Sequence, residues 1–157
     1  MRRRAAARVV LVSDDESLLL ISGVDPCDSA AGRFWVLPGG GVEEGEPAQG
    51  AARREAYEEL GTRLGDLGRP VWRRHASFVF DGAQWEQDEV FFVVRSPRFD
   101  PVATALTEME VRWTTGTRWW PLDELASTAE VVYPAQLGSL VRSWLSDGPP
   151  GSPISIE

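Results

Sequence analysis

A helix lined with carboxylates and bounded by glycines restricts what this chain can fold into. Gly39-Gly40-Gly41 follow the apolar run Phe34-Trp35-Val36-Leu37 and Pro38, and residues 47–60 are rich in Ala, Arg and Glu and stop at Gly61. Pro47 at a first helical position and Gly61 past the last one punctuate a helix. The first turn has no use for the N–H that proline lacks, and glycine turns the chain away without a Cβ clash. At 3.6 residues per turn, Glu55, Glu58 and Glu59 share a sector of about 100° on one face. Three carboxylates so close repel one another, as they would on any plain surface helix. A hard divalent cation removes that conflict, and Mg²⁺ or Mn²⁺ takes a few carboxylates together with water and phosphate oxygens. Arg54, four residues before Glu58, is placed to brace it. An acidic helix face is ordinarily just solvated. The flanking glycines, which let backbone carbonyls come close to a ligand, and Arg54 favour a site instead.

Short β-patterned runs surround this helix. Residues 6–12 and 18–22, separated by Ser13-Asp14-Asp15-Glu16-Ser17, read as a hairpin, and residues 34–37 read as a third strand. Residues 71–80 and 84–94 flank Asp81-Gly82 and form the clearest hairpin; its second arm ends in Val90-Phe91-Phe92-Val93-Val94, a run suited to burial on both faces. Residues 97–116 read as a long functional loop and 117–121 as a short strand. Leu137, Leu140, Val141, Trp144 and Leu145 recur at helical spacing behind Pro134, and residues 148–157 read as a loose tail. The 157 residues, 43% of them hydrophobic, suffice for one domain with a proper core, and no internal repeat divides them.

Composition excludes several chemistries. All 16 basic residues are Arg, so Lys-dependent Schiff bases and phosphate loops are absent. One histidine, His75, cannot supply a two-histidine zinc site, and no triad pattern surrounds it. The single cysteine, Cys27, allows no internal disulfide. A net charge of −8 argues against duplex nucleic acid as a partner, because that affinity needs a basic footprint. No apolar run approaches the roughly 18 residues of a membrane span, and Met1-Arg2-Arg3-Arg4 is followed by no signal-peptide core, so a soluble cytoplasmic protein is expected.

Gly40, Glu46, Arg54, Glu55, Glu58, Glu59 and Gly61 fill every fixed position of the pattern G-x5-E-x7-R-E-U-x-E-E-x-G-U over residues 40–62. This resembles the Nudix box of the MutT-like Nudix hydrolases, with Ala56 and Thr62 departing from the bulky aliphatic U positions. Trp35-Val36-Leu37-Pro38-Gly39-Gly40 and Trp119-Trp120-Pro121-Leu122-Asp123-Glu124-Leu125 are similar to the family's surroundings as well. The resemblance implies an α/β/α sandwich with a mixed β-sheet in one domain, and hydrolysis of a nucleoside diphosphate derivative by water. It implies that Glu55, Glu58 and Glu59 bind Mg²⁺ or Mn²⁺ with the backbone carbonyl of Gly39, while Gly40, Glu46 and Arg54 organise loop and helix. The family draws its general base either from the box or from a later loop, where Glu108 and Glu110 are the candidates here. Trp85 and Phe80 are candidate base contacts, whereas Trp35 and Trp120 read as core. The small-molecule substrate could be ADP-ribose-like or a nucleoside triphosphate, and dimers are common in the family. A different class, a non-catalytic nucleotide-sugar sensor on the same fold, is also compatible with the composition.

Overall fold

The computed structural model describes residues 1–157. In chain order the elements are β1 (Arg2–Val12), β2 (Ser17–Val24), β3 (Arg33–Val36), β4 (Gly39–Gly41), α1 (Ala48–Leu60), β5 (Trp72–Phe80), β6 (Ala83–Arg95), α2 (Glu108–Trp113), β7 (Thr114–Pro121), α3 (Leu122–Ser127), β8 (Val131–Tyr133), α4 (Leu137–Asp147) and β9 (Ile154–Ser155). The strands form one mixed sheet in the order β8-β3-β2-β1-β6-β5-β9, with β4 added to β1 and β7 to β2. No helix is long and apolar enough to cross a membrane.

Alternation along the central strands builds the layers. Val9 and Leu11 of β1 and Leu19 and Ile21 of β2 meet Ala56 and Leu60 of α1. Their neighbours Val10, Val12, Leu18 and Leu20 face the other way, against Leu122 and Leu125 of α3 and Leu137 and Val141 of α4. Side chains on a strand point alternately to opposite faces, so both faces of these strands are apolar and both are roofed by helices. This is the expected α/β/α sandwich. Trp35 and Trp120 meet edge to face in the second core, with centroids 5.2 Å apart, as their reading as core residues required.

The β5–β6 hairpin turns at Asp81 and Gly82, both at positive φ (49° and 74°), the geometry that matches the twist of paired strands. Three expectations are corrected. The first two strands do turn back antiparallel at residues 13–17, but their ladder is confined to Val12 opposite Leu18; β1 runs parallel to β6 from Arg2 opposite Trp85 to Val12 opposite Arg95, while β2 pairs with β3 and β7. The two strands stay neighbours in the sheet, but beyond the turn each takes most of its ladder from other strands. The loop expected over residues 97–116 ends early, because Thr107 and Glu110 cap α2 reciprocally and β7 begins at Thr114. The C-terminal tail is not loose: Ile154 and Ile156 donate backbone hydrogen bonds to Val71 and Arg73, and Ile156 packs on the core.

Candidate active site

The site begins at the glycines. β4 lies antiparallel to β1, with Arg8 opposite Gly39, Ala7 opposite Gly40 and Ala6 opposite Gly41. Gly39 has φ +144°, and a Cβ there would stand 2.1 Å from the Ala7 carbonyl oxygen. A Cβ on Gly40 would stand 2.5 Å from Oε1 of Glu55. The missing side chain at position 40 is therefore the cradle of a helix carboxylate. On α1, Ala51, Ala52 and Ala56 are fully buried, and their small size lets the helix lie close against the sheet. The small residue at position 56 thus belongs to the packing.

Three carboxylates from two elements converge here. Oxygens of Glu55, Glu59 and Glu110 lie within 4.8 Å of one another. Glu59 accepts the Gly39 N–H at 2.8 Å and Glu55 accepts from Arg54 Nη1 at 3.1 Å. Glu110 arrives at the third position of α2, held by its cap: the Thr107 N–H donates to Glu110 Oε1 at 2.9 Å. Burial, then the charge of Glu55, pushes the Glu59 carboxyl well above the usual carboxylate range, against the Gly39 N–H and Arg8. Burial, then Glu110, likewise raises Glu55, opposed by Arg54. Acidic groups that are both desolvated and mutually repelling are relieved by a cation of high charge density. The donor set is all oxygen, so Mg²⁺ or Mn²⁺ fits it.

Arg54 organises the loop ahead of the helix. Its Nε and Nη2 grip the two oxygens of Glu46 at 2.9 and 3.1 Å, Nη2 reaches the Gly41 carbonyl at 3.0 Å, and Nη1 reaches Glu58 at 3.2 Å. The guanidinium holds Glu46 below the ordinary carboxylate range. Only a planar fork with several donors serves this many acceptors at once.

The structure separates some expected partners. Glu58 sits one step along the helix face, turned to Arg54, and lies outside the trio. Glu108 is exposed at the start of α2, so of the two later-loop glutamates only Glu110 joins the cluster. Phe80 packs into an aromatic group with Phe34 and Trp113, and Trp85 lies beneath the guanidinium groups of Arg2 and Arg4, at 5.4 and 4.9 Å. A polar network the sequence reading passed over lies beside the glycines. Glu89, fully buried, is paired with Arg8 at 3.4 Å and Arg74 at 2.7 Å and accepts from Gln87 at 2.6 Å. Its signal was available in the alternation, because Gln87 and Glu89 share the inward parity of Phe91.

Residues 2–138 match the family model described as NUDIX domain. Diphosphoinositol polyphosphate phosphohydrolase 2 of Rattus norvegicus is 36% identical over 85 residues, which are 50% of this chain and 44% of that protein. Diphosphoinositol polyphosphate phosphohydrolase 3-alpha of Mus musculus is 36% identical over 86 residues, 50% of this chain and 49% of that protein. The match therefore spans about half the length of these relatives. Among solved structures, a NUDIX hydrolase from Nitrosomonas europaea aligns with a TM-score of 0.64 at 19% identity, covering 97% of this chain and 93% of that one. The NUDIX domain of Shewanella oneidensis NrtR, complexed with ADP ribose, aligns with a TM-score of 0.65 at 14% identity, covering 92% and 90%. These two likenesses are of fold.

Proposed function

The chain belongs to the NUDIX domain family, and on that premise we propose that it hydrolyses a diphosphate linkage in a nucleoside diphosphate derivative, with water attacking phosphorus. The observation that carries this reading is the convergence of Glu55, Glu59 and Glu110 beside Gly39 and Gly40, neither of which has room for a side chain. Glu55 and Glu59, with the Gly39 carbonyl, are assigned to hold Mg²⁺ or Mn²⁺, and Glu58 lies on the same helix face within reach of Arg54's bracing. When bound, such a cation supplies charge stabilisation on the bridging and non-bridging phosphate oxygens. Glu110 is assigned as general base over Glu108, since it faces the helix carboxylates from a separate element. Arg54 and Glu46 keep the helix carboxylates and the loop in register. The named relatives act on diphosphoinositol polyphosphates, so cleavage of a diphosphate is the chemistry common to both substrate groups.

The test is phosphate release from a panel of ADP-ribose, nucleoside triphosphates and a diphosphoinositol polyphosphate, with Mg²⁺ or Mn²⁺ and with chelator. Glu59→Gln retains an acceptor for the Gly39 N–H but loses the charge, so it is expected to fold and to lose turnover. Chelator-insensitive turnover, or full activity in Glu59→Gln, contradicts the proposal. Ligand binding without turnover of any compound favours the sensor.

A further inference from the structure

The buried charges around Glu89 are an unusual use of a central strand. Glu89 is 2% exposed, and its oxygens serve two guanidinium groups and one amide. Removing three charges from water costs more than filling the same space with apolar side chains would, so stability alone does not account for them. What the network touches does.

Arg4 Nε donates to Gln87 Oε1 at 2.5 Å, Gln87 donates to Glu89, and Arg8 is held against Glu89 through its Nε. A second nitrogen of Arg8, Nη1, donates to the carbonyls of Leu37 at 3.3 Å and Gly39 at 3.1 Å. Between them, the Pro38 carbonyl accepts the Val9 N–H at 3.0 Å. Three successive carbonyls entering the glycine run are thus pinned by two adjacent residues of β1. The run needs this, because three consecutive glycines carry no side chain to fix them and lose the most freedom on ordering. The other end of the Gly39 residue, its N–H, is held by Glu59.

We propose that Arg8, locked in place by Glu89, is a positioning residue that fixes the Gly39 carbonyl and, through the Gly39 N–H, the Glu59 carboxylate for cation binding. The inference rests on the metal-dependent reading above. Arg74 shares the Glu89 carboxylate but bonds its other oxygen and does not reach Gly39, which provides an internal control.

The experiment measures Mn²⁺ binding to the full chain by electron paramagnetic resonance, without substrate, together with hydrogen exchange at the Gly39 N–H and thermal melting. Arg8→Lys keeps the charge facing Glu89, but a single ammonium cannot span Glu89 and two carbonyls. It is expected to weaken Mn²⁺ binding about 10-fold or more, the range for groups that orient metal ligands, and to speed Gly39 exchange. Arg74→Lys is expected to shift the melting temperature while keeping Mn²⁺ affinity within about twofold of wild type. Arg8→Lys binding as wild type does, or both variants weakening it equally, overturns the proposal. A wild-type chain that binds no Mn²⁺ overturns the metal reading itself, which separates the two failures.

Discussion

Two neighbouring glycines should respond to the same substitution in opposite ways. In Gly40→Ala the new Cβ would lie 2.5 Å from Glu55 Oε1 and 2.6 Å from its Cδ, with no positive φ to strain the backbone. Non-bonded contacts settle near 3.5 Å, so the carboxylate must retreat by roughly 1 Å. That atom is the end of a flexible side chain, and the cost to the fold is about 1–2 kcal/mol. A 1 Å misplacement at a reacting centre can cost on the order of 100-fold in rate, equivalent to about 2.7 kcal/mol of barrier. In Gly39→Ala the Cβ would meet the Ala7 carbonyl at 2.1 Å and Arg8 Cα at 2.8 Å, and φ is +144°. Here the obstacle is backbone of β1, which is paired on both sides and cannot move. Backbone strain of about 1–3 kcal/mol adds to overpacking of similar size. For a chain of this length that total lowers the melting temperature on the order of 10 °C. Thermal melts beside steady-state phosphate release separate the cases. Gly40→Ala working at the wild-type rate, or Gly39→Ala melting within about 2 °C of wild type, would refute the reasoning.

Two further outcomes follow from the same geometry. His75, the sole histidine, is bonded to Asp88 at 2.7 Å and Glu86 at 2.6 Å, and these carboxylates, Asp88 first, raise its pKa above the ordinary value. Its contribution to stability is fully present below the unfolded value of about 6.5 and is lost as pH rises through the higher folded one. The imidazole proton resonance should titrate above 6.5, with a lower midpoint in Asp88→Asn; a wild-type midpoint at or below 6.5 is the contrary result. Deleting residues 152–157 removes β9, its backbone bonds to β5 and the packed Ile156, and should cost about 1–3 kcal/mol. An unchanged melting temperature would mean that this strand adds nothing.

The parts of the fold legible from sequence were those written locally. Pro47 and Gly61 bracket α1 to within a residue, with the observed helix starting at Ala48 and Gly61 at φ 72°, and Asp81-Gly82 marks its hairpin. The box positions grouped Glu55, Glu58 and Glu59 and put Arg54 with Glu46; in the structure Glu55 and Glu59 meet Glu110, and Glu58 turns to Arg54. What escaped depends on distant partners. The alternation of β1 reveals that it is a strand apolar on both faces but says nothing of which strand supplies its long ladder, and the one that does, β6, lies far along the chain, with Trp85 opposite Arg2. The helix α2 buries no residue and is six residues long, so no periodicity announces it; only the Thr107–Glu110 cap does. Strand β9 is two residues of ordinary composition whose pairing comes entirely from β5.

That short cap bears on how Glu110 meets the helix carboxylates. A glutamate on an unstructured loop would have to be immobilised whenever a cation bound, at about 1–2 kcal/mol for each residue fixed. Here the reciprocal bonds between Thr107 and Glu110 have already stiffened that turn, and one of the bonding groups is the very carboxylate that faces the site. The ordering entropy is spent during folding, so the third carboxylate is preorganised before any ligand arrives.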